Sequence, residues 1–175
     1  YLDKVAIVVA ETEAIAARAA KLIQVDYEDL LPVFDMFEAM QDGAPQLQER
    51  VPNNVLAHYR TRFGDMDAGW EQAEVVVEGE FVTGYQEHAY LQPEAGLGYI
   101  DEQGRTTVVV GGQWTHEDQS LIAHALNLPA EAVRVIYPAI GGAFGGREDM
   151  SVQIVLALAA YRLRRPVKVI WSREE

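Results

Sequence analysis

The chain has 175 residues, of which 49% are hydrophobic and 23% charged, a composition typical of folded globular domains rather than disordered or fibrous chains. It contains no cysteine, which excludes disulfides, thiol catalysis and cysteine-ligated metal centres from its own residues. A formal net charge of -13 argues against nucleic-acid binding, because a polyanion would be repelled. The sequence shows neither an apolar run of transmembrane length nor a signal-peptide pattern at its start, so we expect a cytoplasmic protein with no membrane partner.

The N-terminal segment predicts a small α/β unit. Residues 4–10 form a β-branched apolar run suited to a buried strand, and 25–27 offer a second strand. Between them, Thr12 can cap a helix whose apolar residues recur at helical spacing.

Composition also predicts where one domain ends and the next begins. Residues 42–54 are polar and rich in turn formers, as linkers are. We therefore predict one domain in residues 1–45, a linker at 46–54 and a second domain in residues 55–175. Because Tyr1 is not methionine and a strand-like run follows directly, we also expect the chain to be a piece of a longer polypeptide.

The second domain mixes predicted strands with predicted helices. Asp65 can cap a short helix, and Thr115 with Asp118 resembles a capping box before another. Residues 151–163 are apolar nearly all round, as in a buried helix. Alternating or β-branched runs predict strands at 55–59, 74–83, 95–100, 106–111, 133–137 and 167–171, with a hairpin turn at 101–104. The predicted fold class is α+β (mixed α/β), with sheets packed against helices.

Four glycines fall in the stretch IGGAFGGRED, residues 140–149, between a predicted strand and a predicted helix. The main-chain N–H groups of such a loop, with the positive end of the helix dipole, bind anions. The dinucleotide pattern G-x-G-x-x-G does not fit the spacing. The nucleoside-triphosphate pattern fits from Gly141 to Gly146, but Glu148 stands where a magnesium-binding hydroxyl is needed and would oppose a polyphosphate. The alternative is a structural loop that lets helix and sheet pack closely.

Several motifs, taken in order, are far more specific than this loop alone. They are HAYLQPEAGLGY, GGQWTHEDQ, VRVIYPAIGG, GGAFGGRED and RPVKVIWSREE. On these motifs, residues 55–175 resemble the molybdopterin-binding subunit of the xanthine dehydrogenase and aldehyde oxidase family of molybdenum hydroxylases. Residues 1–45 resemble the end of the small hammerhead-like α/β domain that precedes it in that family.

The resemblance implies a molybdenum ion held by the dithiolene of a pterin, so that no protein side chain ligates the metal. It implies that the Gln113 amide hydrogen-bonds an oxygen on molybdenum and that Phe144 lies beside the metal. Glu148 matches a position that contacts substrate in purine-oxidising members; a carboxylate that caps the next helix is the alternative. Arg147 contacts the cofactor or pairs with Glu148 or Asp149. The implied cofactor-binding residues are Gln113, Gly142, Ala143, Phe144, Gly145 and Arg147.

For function, the resemblance implies oxidative hydroxylation of a purine-like heterocycle or an aldehyde, with water as the oxygen source, and a role in purine catabolism. The catalytic base and further cofactor contacts are expected beyond residue 175, so this chain alone should be inactive. Iron–sulfur clusters and FAD are expected on partner chains or domains. The resemblance allows a dinucleotide form of the cofactor and a homodimer. A nucleotide-binding α/β module and a non-catalytic assembly domain stay open as alternatives.

Four further polar residues are interpreted as structural. His88 and His116 lack the spacing of metal ligands and are expected to make structural hydrogen bonds. Glu87 and Glu94 are interpreted as acceptors for buried backbone groups rather than as acids or bases.

Overall fold

The computed structural model describes residues 4–172; residues 1–3 and 173–175, which include the end of the RPVKVIWSREE motif, lie outside the described residues. The helices are α1 (Glu13–Ala20), α2 (Met36–Ala39), α3 (Met66–Gln72), α4 (Thr115–Leu126) and α5 (Gln153–Leu163), with 3-10 turns at Pro52–Asn54 and Ala130–Ala132. The strands are β1 (Ala95–Ile100), β2 (Thr106–Val110), β3 (Val133–Ile136) and β4 (Val167–Ile170). These residues form two compact units, one from 4–23 with 84–172 and the other from 24–83.

A four-stranded mixed sheet, in the order β3-β2-β1-β4, is the frame of the first unit. β1 and β2 form the predicted antiparallel hairpin. Asp101 closes its turn, because the carboxylate accepts hydrogen bonds from the N–H groups of Gln103 and Arg105 at 3.0 and 2.9 Å. β3 lies parallel to β2, and β4 lies antiparallel to β1. The predicted mixed α/β class is confirmed.

The helix α5 covers this sheet and brings the glycine stretch to it. It packs against β1, β2 and β4 and also against α4. Buried side chains from β2, β3, α4 and α5, with Val152 just before α5, form one hydrophobic core: Val108, Val110, Ile122, Ala123, Val133, Val152, Leu156 and Ala157. The prediction of a buried helix here is confirmed, and its docking fixes where the preceding glycines lie. No helix in residues 4–172 has the length and apolarity needed to cross a membrane.

Two predicted helix starts are confirmed by their capping hydrogen bonds. The side chains of Thr12 and Asp65 each accept from a main-chain N–H three residues later, at 3.3 and 3.1 Å. The predicted capping box is wrong, because α4 begins at Thr115 without a side-chain cap. Asp118 is instead buried and accepts a hydrogen bond from Tyr137, a long-range partner that the local pattern does not reveal.

Four segments predicted as strands have no strand pairing within the described chain: 4–10, 25–27, 55–59 and 74–83. A strand needs a neighbour that pairs its main-chain groups and covers its apolar face. In the last of these segments, Val77 and Phe81 are 87% and 91% exposed, so no described element covers them. These strand predictions are therefore wrong for this chain.

Asn54 organises the second unit. Its Nδ2 donates to the carbonyl oxygens of Ala39 and Pro45 at 2.8 and 3.0 Å, and its Oδ1 accepts from the N–H of Leu47 at 2.8 Å. The segment predicted as a linker, 46–54, is thus tied to its neighbours by hydrogen bonds. The domain boundaries drawn from the sequence stay predictions.

Candidate functional site

The glycine loop, defined as residues 141–146, lies between β3 and α5 and has an unusual backbone. Gly142 and Gly145 have φ angles of 97° and 93°, which favour glycine. Phe144, between them, has a φ of 53°, a left-handed conformation that costs a non-glycine residue about 1 kcal/mol. Its side chain is 76% exposed. A bulky apolar residue held exposed on strained backbone is typical of functional sites.

Gln113, three residues beyond β2, contacts this loop directly. Its side-chain Oε1 accepts from the N–H of Gly145 at 3.0 Å and from the N–H of Arg147 at 3.3 Å. Its own N–H donates to the carbonyl oxygen of Arg147 at 3.2 Å. Because the amide oxygen faces these donors, Nε2 is turned away from them, and no described residue accepts from it. The structure therefore brings together three residues that the sequence assigns to cofactor binding.

Residues 88–92 lie behind the loop and explain two of its glycines. Gln92 Oε1 accepts from the N–H of Gly141 at 2.6 Å. A β-carbon on Gly141 would lie 2.7 Å from the β-carbon of Gln92, and one on Gly146 would lie 2.9 Å from the rings of His88 and Tyr90. Glycine is therefore required at both ends of the loop by packing within the protein. This packing agrees, at the two ends of the loop, with the alternative of a structural loop.

The middle of the loop has unused hydrogen-bond donors. The main-chain N–H groups of residues 142, 143 and 144 donate to no acceptor within residues 4–172. Consecutive N–H groups of this kind suit anionic or strongly polar ligands. We call the combination of Gln113 with residues 142–144 the loop face.

Arg147 is the largest fully buried side chain of the described residues, with 2% exposure. The expected pairing with Glu148 or Asp149 is wrong. Its Nε lies 3.2 Å from Oε1 of Glu94, and its Nη2 donates to the carbonyl oxygen of Gln92 at 2.7 Å. A charge inside a protein needs a partner of this kind, and the nearby acids in sequence are exposed.

Glu94 is a member of the site that sequence reasoning misread. It is an ion-pair partner rather than an acceptor for buried backbone groups, and its second carboxylate oxygen accepts from Ser151 Oγ at 2.6 Å. Burial, together with the hydrogen bond to Glu94, raises the pKa of Tyr90, whose ring centre lies 4.4 Å from the guanidinium carbon of Arg147. Two features of the sequence could have indicated this ion pair. Glu94 stands directly before an apolar strand, and the glycine stretch contains one arginine, Arg147.

A second buried polar cluster joins this pair to α4. Tyr137 Oη donates to Asp118 Oδ2 at 2.6 Å, and Gln153 Nε2 donates to the same oxygen at 3.3 Å. Burial raises the pKa of Asp118, although these two hydrogen bonds act in the opposite direction. Burial and the Asp118 carboxylate raise the pKa of Tyr137 as well. Ser151 Oγ lies 3.2 Å from Gln153 Oε1, so the polar contacts continue to Glu94.

Glu148 is exposed at the end of the loop, where its N–H donates to the carbonyl oxygen of Gly145 at 3.3 Å. The alternative that it caps the next helix is wrong, because α5 begins at Gln153 with no side-chain cap. Contact of Glu148 with a substrate stays a prediction.

The remaining polar residues have ordinary surroundings. Glu87 Oε1 accepts from the N–H of Ala89 at 3.3 Å, in an exposed turn rather than a buried one. His88 packs against the glycine loop, and His116 is exposed near the start of α4. The part of the chain that the structure describes has no group of three or more potential metal ligands.

Comparison with known proteins identifies the family of this chain. The family model described as the molybdopterin cofactor-binding domain matches residues 47–175. The chain is 37% identical over 175 residues to the nicotinate dehydrogenase large molybdopterin subunit of Eubacterium barkeri, covering 100% of this chain and 41% of that protein. It is 37% identical over 178 residues to the xanthine dehydrogenase of Drosophila subobscura, covering 100% of this chain and 13% of that protein.

The fold has a matching solved structure. The aldehyde oxidoreductase from Desulfovibrio gigas superposes with a TM-score of 0.80 and 25% identity, covering 93% of this chain and 18% of that one. The mixed sheet is thus the frame of a cofactor-binding α/β domain. The chain belongs to the molybdopterin cofactor-binding domain family of the molybdenum hydroxylases. It spans less than half the length of each of these relatives.

Proposed function

We propose that the chain is part of the large subunit of a molybdenum hydroxylase and that its loop face binds the molybdopterin cofactor. One observation carries the proposal. Gln113 Oε1 accepts from the N–H groups of Gly145 and Arg147, which joins the glutamine and the glycine loop into one rigid unit.

The chemistry of the loop face fits the cofactor. Molybdopterin presents phosphate oxygens and oxygen atoms on its metal, all of which accept hydrogen bonds. The N–H groups of residues 142–144 and the amide nitrogen of Gln113 are donors without a described partner. The exposed ring of Phe144 adds an apolar contact beside them. The pterin, and not the protein, ligates the metal of this cofactor. A site made of main-chain and amide N–H donors, without metal-ligating side chains, therefore suits it.

When bound, the cofactor supplies the redox chemistry and the activation of water that side chains lack. Overall, a C–H bond of a purine-like heterocycle or an aldehyde is replaced by C–OH. The substrate and one water become the hydroxylated product, two protons and two electrons. The electrons pass to iron–sulfur clusters and FAD on partner chains or domains.

In this reaction the residues of the chain bind and orient. Gln113 Nε2 and the N–H groups of residues 142–144 donate to the cofactor, and the Phe144 ring excludes water from its surroundings. Glu148, exposed beside the loop, contacts the purine-like substrate through its carboxyl group.

The proposal assigns the catalytic base and the remaining cofactor contacts to residues outside this chain, which alone is inactive. The 41% coverage of the Eubacterium barkeri relative supports this division. We retain residues 1–45 as the end of a hammerhead-like domain, 46–54 as a linker and 55–175 as the start of the cofactor domain; the family match over residues 47–175 supports the assignment of the cofactor domain but not its first residue. A cytoplasmic location and a homodimer stay predictions. The comparisons do not favour a nucleotide-binding module.

The test uses the full-length subunit, purified with its iron–sulfur and flavin partners from a host that makes the cofactor. We expect about one molybdenum and one molybdopterin per subunit, and oxygen-18 from labelled water in the product. A correctly folded wild-type complex without molybdenum would contradict the proposal.

A pair of glutamine variants tests the assignment of the loop face. Gln113→Ala should lower kcat by about 10²-fold, the effect of removing one preorganised donor, with a modest drop in the thermal midpoint from its two lost loop hydrogen bonds. The matched control is Gln119→Ala, because among residues 4–172 the Gln119 amide donates to the carbonyl oxygens of Ala130 and Val133 and not to the glycine loop. The control should affect stability and leave kcat near the wild-type value. Equal losses of kcat in both variants would contradict the assignment.

A further inference from the structure

The buried guanidinium of Arg147 lowers the stability of the fold relative to an apolar side chain of the same size. Neither its Nε nor its Nη1 has a hydrogen bond of good geometry within the described residues, although Nε lies 3.2 Å from Glu94. Buried donors without hydrogen bonds cost stability, and an apolar residue of similar volume would avoid that cost. This arrangement calls for a role beyond packing.

The ion pair, the side-chain hydrogen bond and the ring contact of Arg147 all fall on the segment 90–94, just before β1. Their partners are Glu94, the carbonyl oxygen of Gln92 and the ring of Tyr90. The same segment binds the first residue of the loop, because Gln92 both accepts from and donates to Gly141. Arg147 thus holds the end of the glycine loop on the segment that already holds its beginning.

The main chain of Arg147 faces the other partner. Its N–H donates to Gln113 Oε1 and its carbonyl oxygen accepts from the N–H of Gln113. The side chain of Arg147 is therefore held by the segment 90–94, and its main chain is hydrogen-bonded to Gln113. A primary amide has one acceptor oxygen and one donor nitrogen, so a fixed oxygen fixes the direction of the nitrogen.

We infer that Arg147 is a positioning residue: its ion pair with Glu94 holds the end of the glycine loop so that the Gln113 amide nitrogen points toward the cofactor. This inference rests on the proposed function of the loop face. It differs from the role suggested by the sequence, because the guanidinium acts from inside the protein rather than by touching the cofactor.

Amide hydrogen exchange in the full-length enzyme tests the anchor without using activity. In Arg147→Met, the amides of residues 145–147 should exchange about 10-fold faster, while those of β1 and β2 keep their wild-type rates. Arg147→Lys, which keeps the charge opposite Glu94, should restore most of the protection. The control Arg165→Met, at an exposed ion pair with Glu11, should change none of these rates. Unchanged exchange at 145–147, or equal acceleration throughout the sheet, would overturn the inference.

A second variant keeps the test valid if Arg147→Met fails to fold with an unpaired Glu94. The double variant Arg147→Met/Glu94→Met removes both charges together, and Ser151 Oγ retains Gln153 Oε1 as an acceptor. It should fold and show the same local acceleration of exchange. A folded double variant with wild-type exchange at 145–147 would overturn the inference.

A double-mutant cycle connects the anchor to Gln113. Arg147→Met should lower kcat by about 10-fold with little change in KM, and should cause no further loss in a Gln113→Ala background. Losses that multiply independently would show that Arg147 does not act through Gln113. A wild-type enzyme without molybdenum would instead refute the proposed function, and the exchange measurement would still report on the anchor by itself.

Discussion

Asp118 is a buried carboxyl group whose environment predicts a pH dependence of stability. It lies on α4, accepts from Tyr137 of the β3 end and from Gln153 of α5, and has Glu117 as a charged neighbour. Burial raises its pKa above the ordinary value of 3.8. The folded state therefore binds this proton more tightly than the unfolded state does. The resulting stabilisation is fully present below the ordinary pKa and is lost as the pH rises through the raised one.

Asp118→Asn should remove this dependence, since the amide does not titrate. Between pH 7 and pH 4 the wild type should gain stability relative to the variant, by about 1 kcal/mol for each unit by which the pKa is raised. Urea unfolding of the full-length subunit at several pH values measures this difference. Asp149→Asn, at an exposed carboxyl group, is the control. A wild-type-to-variant difference that is constant over this range would contradict the account.

At the scale of elements, the contact between α5 and β1 determines where the glycine loop lies. Gly98 of β1 faces the helix, and a β-carbon there would lie 2.6 Å from the main-chain oxygen of Leu156 and 3.3 Å from the Ala160 β-carbon. Main-chain atoms of a helix cannot move aside as the end of a flexible side chain can. The close approach of helix and sheet therefore depends on this position having no side chain.

Gly98→Ala should destabilise the full-length subunit by about 1–3 kcal/mol, the usual cost of overpacking. Gly84→Ala is the matched control, because a β-carbon at Gly84 would meet no atom of the described residues within 4 Å. The midpoints of urea denaturation of the two variants give the comparison. Equal destabilisation by both substitutions would show that the close contact between α5 and β1 does not depend on glycine at position 98.

Elements with local signals were predictable from the sequence. The caps at Thr12 and Asp65 act over three residues, and Asp101 closes the turn between β1 and β2. The sequence of α5 is apolar on nearly all sides, which indicates a buried helix. The cluster of Gln113 with the glycine loop was also anticipated, from the family resemblance of the motifs rather than from spacing.

Contacts between distant residues were not predictable from the same patterns. Arg147 and Gln92 are separated by 55 positions, and Tyr137 and Asp118 by 19. Local rules assigned the nearest acids to Arg147 and a capping role to Asp118, because those rules do not include the packing that buries both. Which distant residue will lie next to a buried polar side chain depends on the packing of the folded chain, and the local pattern of one sequence does not contain that information.

At the scale of the whole molecule, residues 4–172 include apolar segments that no other part of this described range covers. Residues 74–83 alternate as a strand does, yet Val77 and Phe81 stay exposed in the described structure. Large exposed apolar areas mark surfaces that pack against something else. The chain spans 41% of the length of the Eubacterium barkeri relative.

The central claim is that the loop face of this domain holds the molybdopterin cofactor. A crystal structure of the full-length subunit with its cofactor bound measures this most directly. We predict cofactor atoms within hydrogen-bond distance of Gln113 Nε2 and of at least one N–H group of residues 142–144, with Arg147 still buried against Glu94. A cofactor bound elsewhere in the subunit, with Gln113 and these N–H groups in contact only with protein or water, would contradict the account.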